Sequence, residues 1–476
     1  MRWQLALTIP EGSTPLFARI AEAVVEEIRR GRLRSGDRLP GTRRIASQLG
    51  VHRNTVVAAW RELTAQGWLV AKPGGATTVA TLPPQPIPTE RPIRRAGFEV
   101  EVPRAPATSP PWPPGTLVFA GGRPDLRLVP TREIARAFSM ALRHTRNQLL
   151  DYGDPQGHPR MRAALATMLA AERGLVVRPD DLVITRGAQQ ALYLIAAALL
   201  RPGDRIAVEA LGYPPAWAAL RAFGAELVPI DVDAGGIRID QIEDAIGAGG
   251  LRAVYLTPHH QYPTMVTLPA PRRLALLQLA AQHRFAILED DYDNEFHYRG
   301  LPILPLAARD EHGVVIYVGT LSKTLAPGLR LGYVAAPGEV VHAMVSARIA
   351  VDRQGDRVSE YALATLFEDG TLARHLRKLR RIYAARQQGF ASALRRHLGD
   401  RLTFEVPAGG LALWARTDVD PEAWARRARA IGVGFEAGRR MHIHQATGPW
   451  LRLGFAPLGA DELEPAVQRL AQAIDP

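Results

Sequence analysis

Lys323 is one of only three lysines among 59 basic residues; the others are Lys72 and Lys378. Arginine carries charge and pairs with anions, but it forms no Schiff base. A chain so committed to arginine keeps a lysine where a free amine is needed, or by accident. The hydroxyls of Thr320 and Ser322 flank it, and Arg330 lies seven residues on. An amine that can condense with an aldehyde, beside hydroxyls and a guanidinium that can hold a phosphate, suits pyridoxal 5'-phosphate. A solvated lysine in a Gly/Pro-rich loop is the plainer reading of the same stretch.

Other residues of useful type stand where apolar runs end. Thr185-Arg-Gly-Ala-Gln-Gln190 lies where a strand gives way to an Ala/Leu-rich helix. A helix opened by Gly187, Ala188 and Gln189 offers free N–H groups and a favourable dipole to a phosphate. Glu289-Asp290-Asp291-Tyr292 follows the run Phe285–Leu288. Carboxylates at the end of a buried strand need partners. A metal is one partner, but Glu295 and His297 lack a convincing ligand spacing. A protonated pyridine nitrogen is another, with Tyr292 reaching the ring's hydroxyl. Asp291 and Asp293 also read as a solvated acidic turn. Tyr213 in Gly-Tyr-Pro-Pro is placed to stack on a ring face or simply to pack its loop. Arg452, between apolar neighbours in Trp450-Leu-Arg-Leu-Gly-Phe455, needs an anion, from a ligand carboxylate or from the protein itself.

These groups need a scaffold. At 476 residues, with 47% hydrophobic and 22% charged residues, the chain has the composition of a globular protein of more than one domain. The net charge of +12 is uneven, and residues 1–80 carry half of the excess, as a nucleic-acid-binding segment would. The absence of cysteine excludes disulfides and thiolate metal sites. The N-terminal apolar run is too short for a signal peptide, and Ala191–Leu200 is too short to span a bilayer. A cytoplasmic location is the expectation.

Within residues 1–80, Leu16, Ile20, Val24 and Ile28 form a helical stripe that Gly31 ends. Thr42 is placed to cap a second helix, closed by Gly50. A third helix starts near Arg53 and buries Val56, Trp60 and Leu63. Trp68–Val70 and Thr77–Val79 read as two strands of a wing around Gly75. This order predicts a winged helix-turn-helix. Arg53, Asn54 and Thr55 open its recognition helix, and Arg43 is placed against backbone phosphates. A helical protein–protein module is the blander alternative. Residues 81–115 hold 11 of the 38 prolines and read as an extended linker. From residue 116 short apolar strands alternate with helices, which predicts an α/β domain with a mostly parallel sheet and a site at the strands' carboxyl ends.

Leu33-x-x-Gly-x-x-Leu-Pro-x-x-Arg43 and Ala46-x-x-Leu-Gly-Val-x-Arg-Asn-Thr-Val-x-x-Ala-x-x-x-Leu63 resemble the DNA-binding domain of the GntR regulators. His52 and Gly41 stand where that family usually has serine, and His52 reads either as a poorer cap or as a further DNA contact beside Arg53. Residues 116–476 resemble the fold-type I aminotransferases. That resemblance implies Lys323 as the Schiff-base lysine, with Thr320, Ser322, Arg330, Gly187, Ala188 and Gln189 around the phosphate. It implies Asp290 on the pyridine nitrogen, with Asp291 as fallback, Tyr292 on the ring hydroxyl and Tyr213 on the ring face. It further implies Tyr152 reaching a partner subunit's phosphate and Arg452 holding an effector carboxylate. Tyr262 replaces the asparagine that such enzymes carry before Pro-Thr. Domain order, linker, His259-His-Gln261 and Glu289–Phe296 together resemble the MocR/GabR-like regulators. The resemblance implies a homodimer that binds double-stranded DNA and senses an amino compound by imine exchange at lysine-bound cofactor. It implies no metal and no membrane partner, and a working aminotransferase with an appended DNA-binding domain as the alternative.

Overall fold

The structure, a computed structural model, describes residues 7–10, 12–72, 75–81, 96–100, 112–119, 121–145, 147–300 and 303–475. It divides into two compact units, Met1–Pro103 and Arg104–Pro476. Most of the expected linker lies outside the described residues. At its far end Trp112 sits beneath the guanidinium of Arg429 at 4.6 Å.

The first unit contains α1 (Leu16–Arg29), α2 (Thr42–Leu49) and α3 (Arg53–Ala65), then β1 (Leu69–Ala71) and β2 (Thr77–Val79). The strands pair antiparallel, Leu69 opposite Val79. The apolar stripes of all three helices converge with Trp68 and Leu69 into one core. This is the expected winged helix-turn-helix, with two local corrections. The first strand begins one residue later than expected, because Trp68 turns into the core. Gly41, not Thr42, holds the cap position of α2, and Thr42 instead lies 3.5 Å from Arg53 Nε through its hydroxyl. His52 caps α3: its Nδ1 accepts the Asn54 N–H at 3.2 Å, so an imidazole does what a serine hydroxyl usually does.

The second unit is built on a seven-stranded sheet. Its strands are β3 (Leu182–Thr185), β4 (Arg205–Glu209), β5 (Glu226–Ile230), β6 (Ala253–Leu256), β7 (Ala286–Asp291), β8 (Val315–Thr320) and β9 (Gly332–Ala335). The spatial order is β3-β9-β8-β7-β6-β4-β5. Neighbours are parallel except β9, which runs antiparallel to both β8 and β3. Alternate residues feed opposite faces, as the two-residue period demands: Tyr255 and Leu288 enter one apolar cluster, Val254 and Ile287 another. Both faces are covered, which is why the strands read as continuous apolar runs. Helix α4 (Ala188–Leu199) follows β3 directly. A smaller antiparallel sheet, in the order Leu402–Phe404, Ala412–Thr417, Trp450–Gly454, Glu436–Ala437, packs with the 28-residue helix α5 (Thr371–Leu398) around its own core. No helix among the described residues is long and apolar enough to cross a membrane.

Candidate functional site

The carboxyl ends of β3, β6, β7 and β8 open onto a cavity of about 730 Å³. Lys323, Asp290, Tyr292, Tyr213, Ala188, Gln189, Thr320, Ser322, Arg330, Tyr262 and Arg452 all line it. The strand-end positions predicted from sequence are thus brought together from residues 188 to 452. Gly187 contributes the helix entrance: its φ of +78° marks it as the N-cap of α4. A Cβ there would stand 3.2 Å from Arg330 Nη2, so glycine lets the guanidinium approach the helix N-terminus. Arg330 is held by donating to the Arg186 carbonyl at 2.8 Å. Thr320 Oγ1 bonds Ser322 Oγ at 3.0 Å. Hydroxyls, a guanidinium and open helix N–H groups therefore share one end of the cavity, a cradle for a phosphate.

The adjacent aspartates point to opposite faces of β7. Asp291 does not line the cavity: its Oδ2 accepts from Tyr317 Oη at 2.7 Å and Asn294 Nδ2 at 2.9 Å, with Arg173 at 3.8 Å, and its Oδ1 is buried without a partner. Of the two aspartates, Asp290 is the one that lines the cavity. Asp291 is buried, as is Asp293, so the solvated-turn reading of these two residues was wrong. Asp290 faces the cavity. Its Oδ2 accepts from Tyr255 at 2.9 Å, and its Oδ1 is buried with no partner. Burial pushes this carboxyl up to about 6. A protonated pyridine nitrogen answers both facts, satisfying the orphaned oxygen and favouring its charge.

Lys323 follows β8. Burial, then the nearby Arg452 charge, brings its ammonium down to about 8, toward the free amine that condensation requires. Arg452, 1% exposed, leaves Nε and Nη1 without partners. Among the described residues no carboxylate pairs with it at salt-bridge distance, so no structural ion pair is seen there. Two guanidinium nitrogens wait on a cavity that Glu436 also lines. Gly121 makes this possible: a Cβ there would stand 1.7 Å from Arg452 Nη1.

Three expected residues behave differently. Tyr292 donates its hydroxyl proton to the His260 carbonyl at 2.9 Å, so that proton is not turned toward a ring oxygen. Gln189 spends its amide on Pro215 O at 2.9 Å and leaves Oε1 unpaired. Tyr152 does not line the cavity; it is 69% exposed, beneath Arg353. Sequence reasoning missed Glu209, which accepts from Thr257 N at 3.1 Å and Oγ1 at 2.9 Å, and burial pushes it up to about 8. It also missed Gly121. Neither sits in a motif; a lone acid closing an apolar strand was the only signal for Glu209.

The family "Aminotransferase class I and II" matches residues 119–470, and "Bacterial regulatory proteins, gntR family" matches residues 16–79. The probable rhizopine catabolism regulatory protein MocR of Rhizobium meliloti is 33% identical, over 98% of this chain and 94% of its own. The chain belongs to the MocR-like GntR regulators. This MocR-like chain is also 32% identical to the transcriptional regulator TauR of Rhodobacter capsulatus over 98% of both. The Thermus thermophilus α-aminoadipate aminotransferase LysN, solved with N-(5'-phosphopyridoxyl)-L-leucine, superposes with a TM-score of 0.71 at 30% identity, covering 76% of this chain and 92% of LysN. The MocR-like chain is thus a pyridoxal phosphate-dependent transcriptional regulator with a DNA-binding winged helix.

Proposed function

We propose that the large domain senses a small primary amine carrying a carboxylate or similar anion, and that its occupancy changes how the winged helices hold promoter DNA. The observation that carries this reading is the pairing, in one cavity, of Lys323 with a buried Arg452 whose Nε and Nη1 lack partners. Asp290, the Gly187 helix entrance, Thr320, Ser322 and Arg330 hold the cofactor; bound pyridoxal phosphate supplies an aldehyde carbon for which primary amines compete. Arg452 grips the entering anion, bidentately in the planar geometry guanidinium favours. Lys323 would hold the cofactor, and its depressed affinity for protons would keep its amine available whenever another amine takes its place. The Lys323 loop and Arg452 belong to different sheets, so a ligand held by both biases their separation, and with it a two-state arrangement of the protein.

The regulator acts as a cytoplasmic homodimer, whose two winged helices read two half-sites. Tyr152, exposed on its own subunit, is assigned to the partner's phosphate cradle. Arg53, Asn54, Thr55, Arg43 and Gly75 are exposed or half-buried along one stretch of the first unit and form its DNA face.

The test is a spectral and thermal-shift screen of amino compounds, 4-aminobutyrate, taurine and D-amino acids among them, on holo-protein, followed by promoter binding with each responder. A responder that shifts the cofactor's absorbance and changes promoter affinity supports sensing. Absorbance that changes while promoter affinity does not sinks it. The aminotransferase likeness favours one second reading, a working transaminase with a DNA-binding domain. Steady turnover of an amino donor with a 2-oxo acid at ordinary enzymatic rates, from about 1 per second upward, would establish it.

A further inference from the structure

We propose that His259, His260 and His297 form a binding site for one zinc-class divalent ion, separate from the Lys323 cavity. One ring nitrogen of each lies within 4.8 Å of one from each of the others. His259 and His260 come from the loop after β6, and His297 from the segment after β7. The spacing that gave no ligand pattern along the chain becomes a cluster once the two strands pair.

The hydrogen-bond accounting points the same way. His259 is 4% exposed and its Nε2 has no partner; neither ring nitrogen of His297 has one. Buried polar atoms without partners are uncommon and costly, and here they stand together. His260 is already oriented as a metal ligand would be. Its Nδ1 bonds Asp293 Oδ1 at 2.8 Å, the carboxylate–histidine arrangement that fixes the orientation of a ligating ring. The other carboxylate oxygen of Asp293 is buried and unpaired, so a negative charge waits beside the cluster.

Charge permits a cation, provided the ligating imidazoles are neutral. Two nearby arginines are already engaged. Arg173 pairs with Glu295 at 2.5 Å and stands 3.8 Å from Asp291. Arg273 donates to the carbonyls of Leu268, Leu304 and Pro258. An all-imidazole set suits zinc, copper or nickel, and the chain has no cysteine to compete. Bonds of about 2.1 Å in tetrahedral geometry need nitrogens roughly 3.4 Å apart, a gap that modest ring rotations close.

Access exists. His297 lines a second cavity of about 450 Å³ with Arg173, Glu295 and Arg380. No residue of that cavity lines the one holding Lys323. It leaves room for water in a fourth position. The ion would tie the loop Thr257–Thr264 to the segment after β7. That loop carries Tyr262, and its His260 carbonyl holds the Tyr292 hydroxyl at 2.9 Å. Occupancy would therefore stiffen one wall of the cofactor cavity.

The experiment uses the tag-free, full-length holo-protein, stripped with EDTA and titrated with Zn²⁺ against a chromophoric chelator. One equivalent per chain is expected, with a dissociation constant below about 1 µM. His297→Gln and His259→Gln should each weaken binding at least tenfold and abolish the zinc-dependent rise in unfolding temperature, while Asp293→Asn should weaken it by about tenfold. Circular dichroism establishes that each variant folds. Unchanged stoichiometry and affinity in His297→Gln and His259→Gln would place zinc elsewhere and overturn the proposal, as would wild-type affinity weaker than about 100 µM. Should the variants fail to fold, X-ray absorption at the zinc edge of the wild-type protein decides. Three imidazole nitrogens support the site, and an oxygen-dominated shell overturns it.

Discussion

The guanidinium of Arg452 lies 4.5 Å over the ring of Tyr262. The residue that replaces the expected asparagine therefore supports the arginine proposed to hold an anion, through a cation–π contact that needs no hydrogen bond. Tyr262 also meets the edge of Tyr213, with ring centroids 5.4 Å apart. One substitution thus links the ring-stacking position to the carboxylate position. The contact also leaves Nε and Nη1 of the guanidinium without partners, as an ion pair would not.

Arg452 depends on the absence of a side chain at Gly121. Gly121→Ala places a methyl carbon where Nη1 now stands, so the arginine must swing away. Responding amino compounds should then bind at least tenfold more weakly, while cofactor absorbance is retained. Arg452→Gln should do the same, since losing one member of a buried charged contact costs about 2–5 kcal/mol. Titration of the cofactor spectrum with the responder checks both, and an unaltered response in Gly121→Ala would show that the arginine does not need its present position.

Asp290→Asn should weaken pyridoxal phosphate binding about 10- to 100-fold. The estimate is the 1.5–3 kcal/mol of a charge-assisted hydrogen bond. The unpartnered Oδ1 is the acceptor being replaced. Asp291→Asn, on the opposite face, should lower stability through Tyr317 and Asn294 and leave affinity near wild type. Fluorescence titration of the cofactor-free chains separates the two, and equal effects on affinity would void the face assignment.

Glu209 makes a pH prediction. Its folded carboxyl sits at about 8, against 4.5 ordinarily. Between those values the native state keeps a proton that the unfolded state has lost. This share of stability is complete below about 4.5 and is lost as pH rises through about 8. Glu289 and Glu360 lean the same way, so the informative quantity is the difference between wild type and Glu209→Gln. Urea midpoints at pH 5.5 and pH 8 should fall less in the variant. Identical falls would mean that Glu209 is ionised in the folded protein.

His52 and Arg53 are neighbours with separable roles. His52→Ala removes the cap on Asn54 N–H and should cost about 1 kcal/mol of stability in the N-terminal unit, whereas His52→Ser should restore it. Arg53→Ala should spare stability, weaken promoter binding and reduce the salt slope by about one. Denaturation and salt-dependent binding curves measure these. Promoter binding that survives Arg53→Ala would remove it from the DNA face.

The cofactor end of the site was legible because strand ends announce themselves: apolar runs stop, and residues such as Asp290 and Thr320 follow. Periodicity alone left Asp290 and Asp291 ambiguous, since the two-residue period fixes alternation but not which face meets the cavity. Strand β9 was overlooked because Gly332–Ala335 is only four residues long and lies inside the Gly/Pro-rich stretch that follows Lys323, between Pro327-Gly328 and Pro337-Gly338. Gly121 is intelligible only with Arg452 beside it. The histidine cluster joins residues nearly forty positions apart, on loops without periodicity, so only strand pairing assembles it.

Lys323 follows a strand of the large sheet, whereas Arg452 lies in a strand of the smaller one, which has a separate core. A molecule gripped at both ends is therefore a strut between two bodies, and its span from amine to anion becomes a measured quantity. Too short a ligand leaves one grip empty, and too long a ligand forces the bodies apart. Under the proposed function the cavity works as a caliper, selecting length before it selects side chain.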